Sequence, residues 1–278
     1  MDPIQYCQDK VAPPGSSHYY AIRVAPAGTQ PALLAAHAFH AEVMAIPVEV
    51  SDPGVASVKL NWWREELDRI LAGQARHPVG ELLQRAIREH GLPEEPLRHI
   101  LDAAAMDLEY GAYPSFRELS VYCHHSGGSL ARMLVGICGH SEPGSLDFAH
   151  DLGMALTLEA GLRNLRRDIQ AGRVYLPEDE MRTAGVDRDM LFQRETADPL
   201  RRLLADHARR VEQFFAQAEQ HLPAKDRRQQ RSQLVLIALH RALLQEMARD
   251  DYPLLEQRYE LTPLRKLWIA WRTARRAR

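Results

Sequence analysis

The chain holds only three cysteines in 278 residues, and no two form a CxxC pair. That scarcity excludes a disulfide framework and a thiolate zinc site, and an odd set such as Cys7, Cys123 and Cys138 suits a reducing compartment. Charge of one sign is also missing: the formal net charge is -2. Nucleic acid is therefore not an expected partner, because its binding draws on a strong basic field. No segment reaches about 18 uninterrupted apolar residues, and MDPIQYCQDK has no basic stretch running into an apolar one. The expectation is a cytoplasmic protein with neither leader nor membrane span. Absent too are GxSxG, GxGxxG and GxxxxGK[ST], so neither a nucleophile elbow nor a phosphate-cradling glycine loop is available. The group Cys123, His124, His125, Cys138 and His140 invites a zinc reading. On one helix, however, its two thiols would lie roughly 22 Å apart, too far to share an ion.

What is present is helical. With 45% hydrophobic and 26% charged residues the chain can bury a sizeable core. Proline and glycine punctuate it at PPG (13–15), SDPG (51–54), GLPEEP (91–96), SEPG (141–144) and TADP (197–200). Between these stops, apolar residues recur at spacings of three and four, as in Leu146, Ala149, Leu152, Leu156 and Ala160, or Leu234, Ile237, Ala238, Leu244 and Met247. Strand-like alternation is confined to pieces such as GRVYLP. With no linker longer than a turn, no repeat and no low-complexity block, residues 1–278 read as one all-α domain of roughly ten helices. Ala155, Ala160 and Gly161 on a leucine-rich helix allow either a central channel or close helix packing.

The ordered segments LNWWREELDRI (60–70), YCHHSGGSLARML (122–134), LGMALTLEAGLRNLRRDIQAGRVYLPEDE (152–180) and RYELTPLRKLWIA (258–270) resemble the squalene/phytoene synthase family. The likeness runs from SSHYYAIR (16–23) to the C-terminal helix. It implies an all-α isoprenoid-synthase fold around a deep apolar cavity, where prenyl diphosphates are joined head to head. It also implies Mg2+ held by carboxylates spaced four apart on two facing helices.

Those carboxylates are largely missing here. On the first helix, within LLAAHAFHAEVMAIPVEV (33–50), the family's arginine stands as Ala41, its aspartate pair as Met44 and Ala45, and its last aspartate as Val48. Glu42 and Glu49 lie off that face, and Pro47 disturbs the turn. On the second helix the family's polar set stands as Thr157, Ala160, Asn164 and Asp168, so Asp168 is the one metal ligand left. By the same resemblance Ser17, Tyr20, Tyr122, Arg163, Asn164, Arg173 and Tyr175 occupy substrate-binding positions at the diphosphate end. For Ser17, Tyr20, Tyr122, Arg173 and Tyr175, packing and helix-end hydrogen bonding is the safer explanation. Arg163, Arg166 and Arg167 read either as a phosphate clamp or as cations at the negative pole of a helix.

The C-terminal helix, about 263–278, carries six basic residues in RKLWIAWRTARRAR and no acidic one, with Trp268 and Trp271 among them. It suits either peripheral contact with an anionic inner membrane face or a packed helix with a basic tail. Two functions therefore stand open. One is an isoprenoid-binding or assembly protein impaired in catalysis, similar to the squalene/phytoene-synthase-like factor that assists respiratory complex I assembly through a protein partner. The other is an active prenyltransferase that makes presqualene diphosphate, squalene or phytoene from a prenyl diphosphate with Mg2+.

Overall fold

Short polar side chains and prolines decide where the helices start. In the computed structural model, which describes residues 2–50 and 52–277, Asp2, Ser16, Asp52, His77, Ser115 and Thr262 each accept a hydrogen bond from a backbone N–H of the turn they open. The helices that follow are α1 (Pro3–Val11), α2 (Ser17–Arg23), α3 (Gln30–Glu49), α4 (Pro53–Leu71), α5 (Pro78–His90), α6 (Glu94–Glu109) and α7 (Phe116–Cys123). A π-helical turn, His124–Gly128, links α7 to α8 (Ser129–Cys138). Then come α9 (Gly144–Arg163), α10 (Leu165–Gln170), α11 (Glu178–Thr183), α12 (Asp198–His221), α13 (Arg231–Arg249) and α14 (Pro263–Arg276). These fourteen exceed the ten expected, because α2, α10 and α11 have only six or seven residues, too few for apolar periodicity to register.

GRVYLP is not a strand. It is pinned by a single parallel bridge between Ala112 and Val174, whose amide donates to the Gly111 carbonyl at 2.9 Å. The all-α architecture is thus as the sequence implies, in one helical domain.

Burial divides into two apolar clusters. One gathers Phe148, Leu152, Leu204, Val211 and Phe215 where α9 lies along α12, and the other gathers Phe39, Leu67, Leu83, Leu97 and Ile100 around α3 and α6. Helix α3 is long and apolar enough to cross a membrane, yet every residue from Ala32 to Phe39 is buried in the fold. It is the central strut of the second cluster.

A close backbone contact sets α9 against the π-turn. Gly153 of α9 crosses Gly127 of the π-turn so closely that a Cβ on Gly127 would lie 2.6 Å from the Gly153 carbonyl oxygen. Only glycine at both positions permits this approach. It draws α9 against the π-turn, and the cavity described next opens beyond that crossing.

Candidate functional site: a cavity between two facing helices

Helix periodicity places residues i, i+3, i+4, i+7 and i+11 on one face. In α3 that set is His37, His40, Ala41, Met44 and Val48; across α9 and α10 it is Thr157, Ala160, Gly161, Asn164 and Asp168. All ten line one cavity of about 420 Å3, within the range of about 300–1,000 Å3 usual for small-molecule sites. The remaining wall comes from Lys10, Val11, His18, Tyr122, Ser126, Leu130, Leu134, Tyr175 and His240, among others. The cavity alternative for Ala160 and Gly161 is therefore the one realised. Ala45 turns away, into a groove beside Trp62 and Trp63.

Asp168, only 3% exposed, accepts hydrogen bonds from Arg167 Nε at 3.0 Å and the same guanidinium's NH2 at 2.8 Å. Burial raises its pKa, against the pull of Arg167. This is possible because α9 stops at Arg163: Asn164 leaves helical geometry at φ -101° and ψ 8°, and α10 starts afresh. The continuous helix implied by the sequence is thus broken at Asn164. The break leaves Arg166 and Arg167 both exposed, with Arg167 at the cavity rim and Arg163 half-buried in its wall.

Deeper in, Glu159 is fully buried and takes His240 Nδ1 at 2.7 Å, with Arg163 Nε at 3.5 Å. Burial opposes its ionisation, but the His240 and Arg163 side chains outweigh it and hold the carboxyl below its ordinary range. His18 and His37 lie with ring centroids 4.4 Å apart. His40 Nε2 sits 3.0 Å from Ser126 Oγ. Burial pushes His18 and His40 down to about 4 and His37 well below its usual value, so all three are uncharged at neutral pH.

At the other wall Tyr175 donates to Asp107 at 2.6 Å and Tyr113 donates to it at 2.8 Å, while Tyr175 stacks on Tyr122 at 5.3 Å. Burial raises Asp107 to about 6 against these bonds. Arg173 donates to the carbonyls of Tyr110 at 3.1 Å and Pro47 at 3.3 Å, tying the loop after α10 to the end of α3. Pro47 itself sits in the last turn of α3, which continues to Glu49 despite the lost amide donor.

Of the substrate-binding positions expected, Tyr122, Arg163, Asn164 and Tyr175 line the cavity. Ser17 lines a smaller cleft of about 160 Å3 that shares His18, Arg163 and His240 with it. Tyr20 faces a different groove, beside Leu267 and Trp271 of α14. Sequence reasoning missed His37, His40, Ser126, Glu159, His240 and Asp107. The polar spacing in HAFH, on an otherwise apolar helix, was a usable signal for the first two. Asp107, in AAAMDLE, shares the buried face of α6 with Ala103 and Ala104.

The residues do not fit a magnesium cluster. Mg2+ wants near-octahedral oxygen ligation with carboxylate support. Here α3 offers Ala41, Met44 and Val48, Asn164 adds a neutral amide, and the one carboxylate, Asp168, is taken by a guanidinium. Glu42 is turned to α1, where Tyr6 donates to it at 2.7 Å and Lys10 pairs with it at 3.2 Å. Among the described residues no group of three His, Cys, Asp or Glu is placed to hold a metal ion.

An all-α domain that closes two such helices on a largely apolar cavity is, by fold, an isoprenoid synthase. Its resemblance to a dehydrosqualene synthase solved with a ligand shows this fold directly: the two superpose with a TM-score of 0.83 at 21% identity, over 99% of each chain. The model of squalene/phytoene synthases matches residues 11–265, and the chain belongs to that family. It is 27% identical to the phytoene synthase of Mycobacterium tuberculosis over 255 residues, which are 91% of this chain and 84% of that one. To the chloroplastic phytoene synthase of an Oncidium hybrid it is 27% identical over 215 residues, 75% of this chain and 52% of the relative. The chain thus spans about half the length of the chloroplastic relatives it matches.

Proposed function

We propose that this protein binds an isoprenoid lipid in the α3–α9 cavity without ionising a prenyl diphosphate through metal ions. The observation that carries the reading is the state of the two facing helices: the only carboxylate left at the expected positions, Asp168, is bonded twice by Arg167, and Ala41, Met44 and Val48 stand opposite. Lost divalent coordination removes several kcal/mol of stabilisation from a departing diphosphate, and each ~1.4 kcal/mol is tenfold in rate. The apolar part of the wall, with Val11, Met44, Leu130, Leu134 and Leu156, is suited to an isoprenoid chain.

Such a lipid comes from a membrane, and α14 supports peripheral contact with one. Leu264 is 80% exposed, and Leu267, Trp268 and Trp271 are each more than half exposed. Arg272 lies over the Trp268 ring at 4.6 Å and Arg275 over Trp271 at 4.9 Å. This pairing of aromatic rings with arginines, on a helix free of acidic residues, complements an anionic lipid surface.

The test is incubation of the purified protein with farnesyl or geranylgeranyl diphosphate and magnesium, with and without a reduced nicotinamide cofactor. The expected result is no diphosphate release, together with isoprenoid binding that EDTA leaves unchanged. Magnesium-dependent release that is lost in Asp168→Ala overturns the proposal.

A further inference from the structure

Charge pairing and hydrogen-bonding capacity in the cavity together specify the polar end of the ligand. Three cations line the wall, and each already has a carboxylate partner: Lys10 with Glu42 at 3.2 Å, Arg163 with Glu159 at 3.5 Å, and Arg167 with Asp168 at 2.8 Å. A diphosphate entering here would compete with these acids for the cations. Losing Arg167 would leave Asp168 a buried, unpaired carboxylate, a strongly unfavourable state, whereas Glu159 would keep only His240.

Apart from Arg163 Nε and Glu159 Oε1, which face each other at 3.5 Å without a hydrogen bond, the groups with hydrogen-bonding capacity to spare include the imidazoles. Val11 offers His18 Nδ1 a carbonyl at 3.2 Å, so Nδ1 must donate. In the uncharged ring that leaves Nε2 as an acceptor, which calls for a ligand O–H. His40 and Ser126, bonded to each other at 3.0 Å, retain between them a donor or acceptor for a second bond. Ser126 sits on the π-helical turn, an irregularity frequent at functional sites. An alcohol oxygen, at once donor and acceptor, matches this set, whereas a hydrocarbon would leave the remaining capacity of His18 and of the His40–Ser126 pair unmet.

We infer that the cavity takes an isoprenoid alcohol, its hydroxyl received by His18 and the His40–Ser126 pair, in preference to a prenyl diphosphate. The inference rests on the reading of the chain as an isoprenoid-binding protein and names the head group for it.

Equilibrium dialysis of the full chain against radiolabelled farnesol, farnesyl diphosphate and the saturated hydrocarbon farnesane separates the two levels. Farnesol binds at least tenfold more tightly than either of the others. His18→Leu and Ser126→Ala each weaken farnesol about tenfold while farnesane affinity stays unchanged, which also reports an intact cavity; Ser126→Ala carries the test by itself where His18→Leu fails to fold. Tighter binding of the diphosphate, equal binding of alcohol and hydrocarbon, or variants that leave farnesol unaffected overturns the head-group assignment alone. Binding of none of the three overturns the isoprenoid reading and the inference with it.

Discussion

Replacing Gly153 with alanine sets two effects of opposite sign against each other. Gly153 lies inside α9, and alanine in a helix interior is worth about 1 kcal/mol over glycine by propensity. Yet the new Cβ would overlap the Gly127 carbonyl oxygen and the Gly128 backbone, which are main-chain atoms with no rotamer to yield. Overpacking of this kind costs about 1–3 kcal/mol, and the rigid obstacle places it at the upper end or beyond. The clash wins, for a net loss of about 2 kcal/mol. Gly136 in α8 is the matched control, because a Cβ there would meet only Leu92 Cδ2 at 3.7 Å, an ordinary contact. Gly136→Ala should be neutral or stabilising by up to ~1 kcal/mol. Urea unfolding followed by circular dichroism at 222 nm reads both, with midpoints moving in opposite directions. A Gly153→Ala midpoint equal to or above that of the parent refutes the close crossing as the reason for glycine.

Asp107 supplies a pH dependence. Its carboxyl is raised from 3.8 to about 6 by burial, so between those values the folded chain holds a proton that the unfolded chain has released. Stability from this group is complete below pH 3.8 and is lost as pH rises through 6, reaching a penalty of about 3 kcal/mol at neutrality. Moving from pH 7 to pH 5 should therefore recover about 1 kcal/mol, seen as a urea midpoint shift that Asp107→Asn removes; an unchanged shift in the variant sinks the assignment. Glu159→Leu strands His240 and Arg163 and should cost about 3–5 kcal/mol, with part regained in the Glu159→Leu/Arg163→Leu double variant, as thermal melts will show. Co-sedimentation should find the protein on phosphatidylglycerol-containing vesicles at low salt, less so at 0.5 M salt, and less again in Trp268→Ser/Trp271→Ser. Binding indifferent to both changes removes α14 from the contact.

Which parts were legible in the sequence follows from how far apart the causes lie. The helical architecture and the facing of α3 and α9 were readable, because periodicities of three and four are local and the family's motif order spans the chain. The break at Asn164 was not: RNLRRD contains neither glycine nor proline, and its end is set by packing of α10 rather than by composition. The ion pairs were hidden for a related reason. Lys10 meets Glu42 across 32 positions and His240 meets Glu159 across 81, so only folding reveals that the arginines and lysine at the cavity are already partnered. The sequence showed cations where a phosphate could sit; the fold shows the acids that neutralise them.

The position of the cavity between the two apolar clusters has a mechanical corollary. Its walls draw Val11 and Leu134 from one cluster and Tyr122 and Ala131 from the other, so an occupant would be touched by both. The lipid proposed for it would join the two, and the expected sign of its binding is a melting temperature that climbs with ligand concentration by mass action. Ligand and scaffold would then be the same object, with the fold at its most rigid when the cavity is filled.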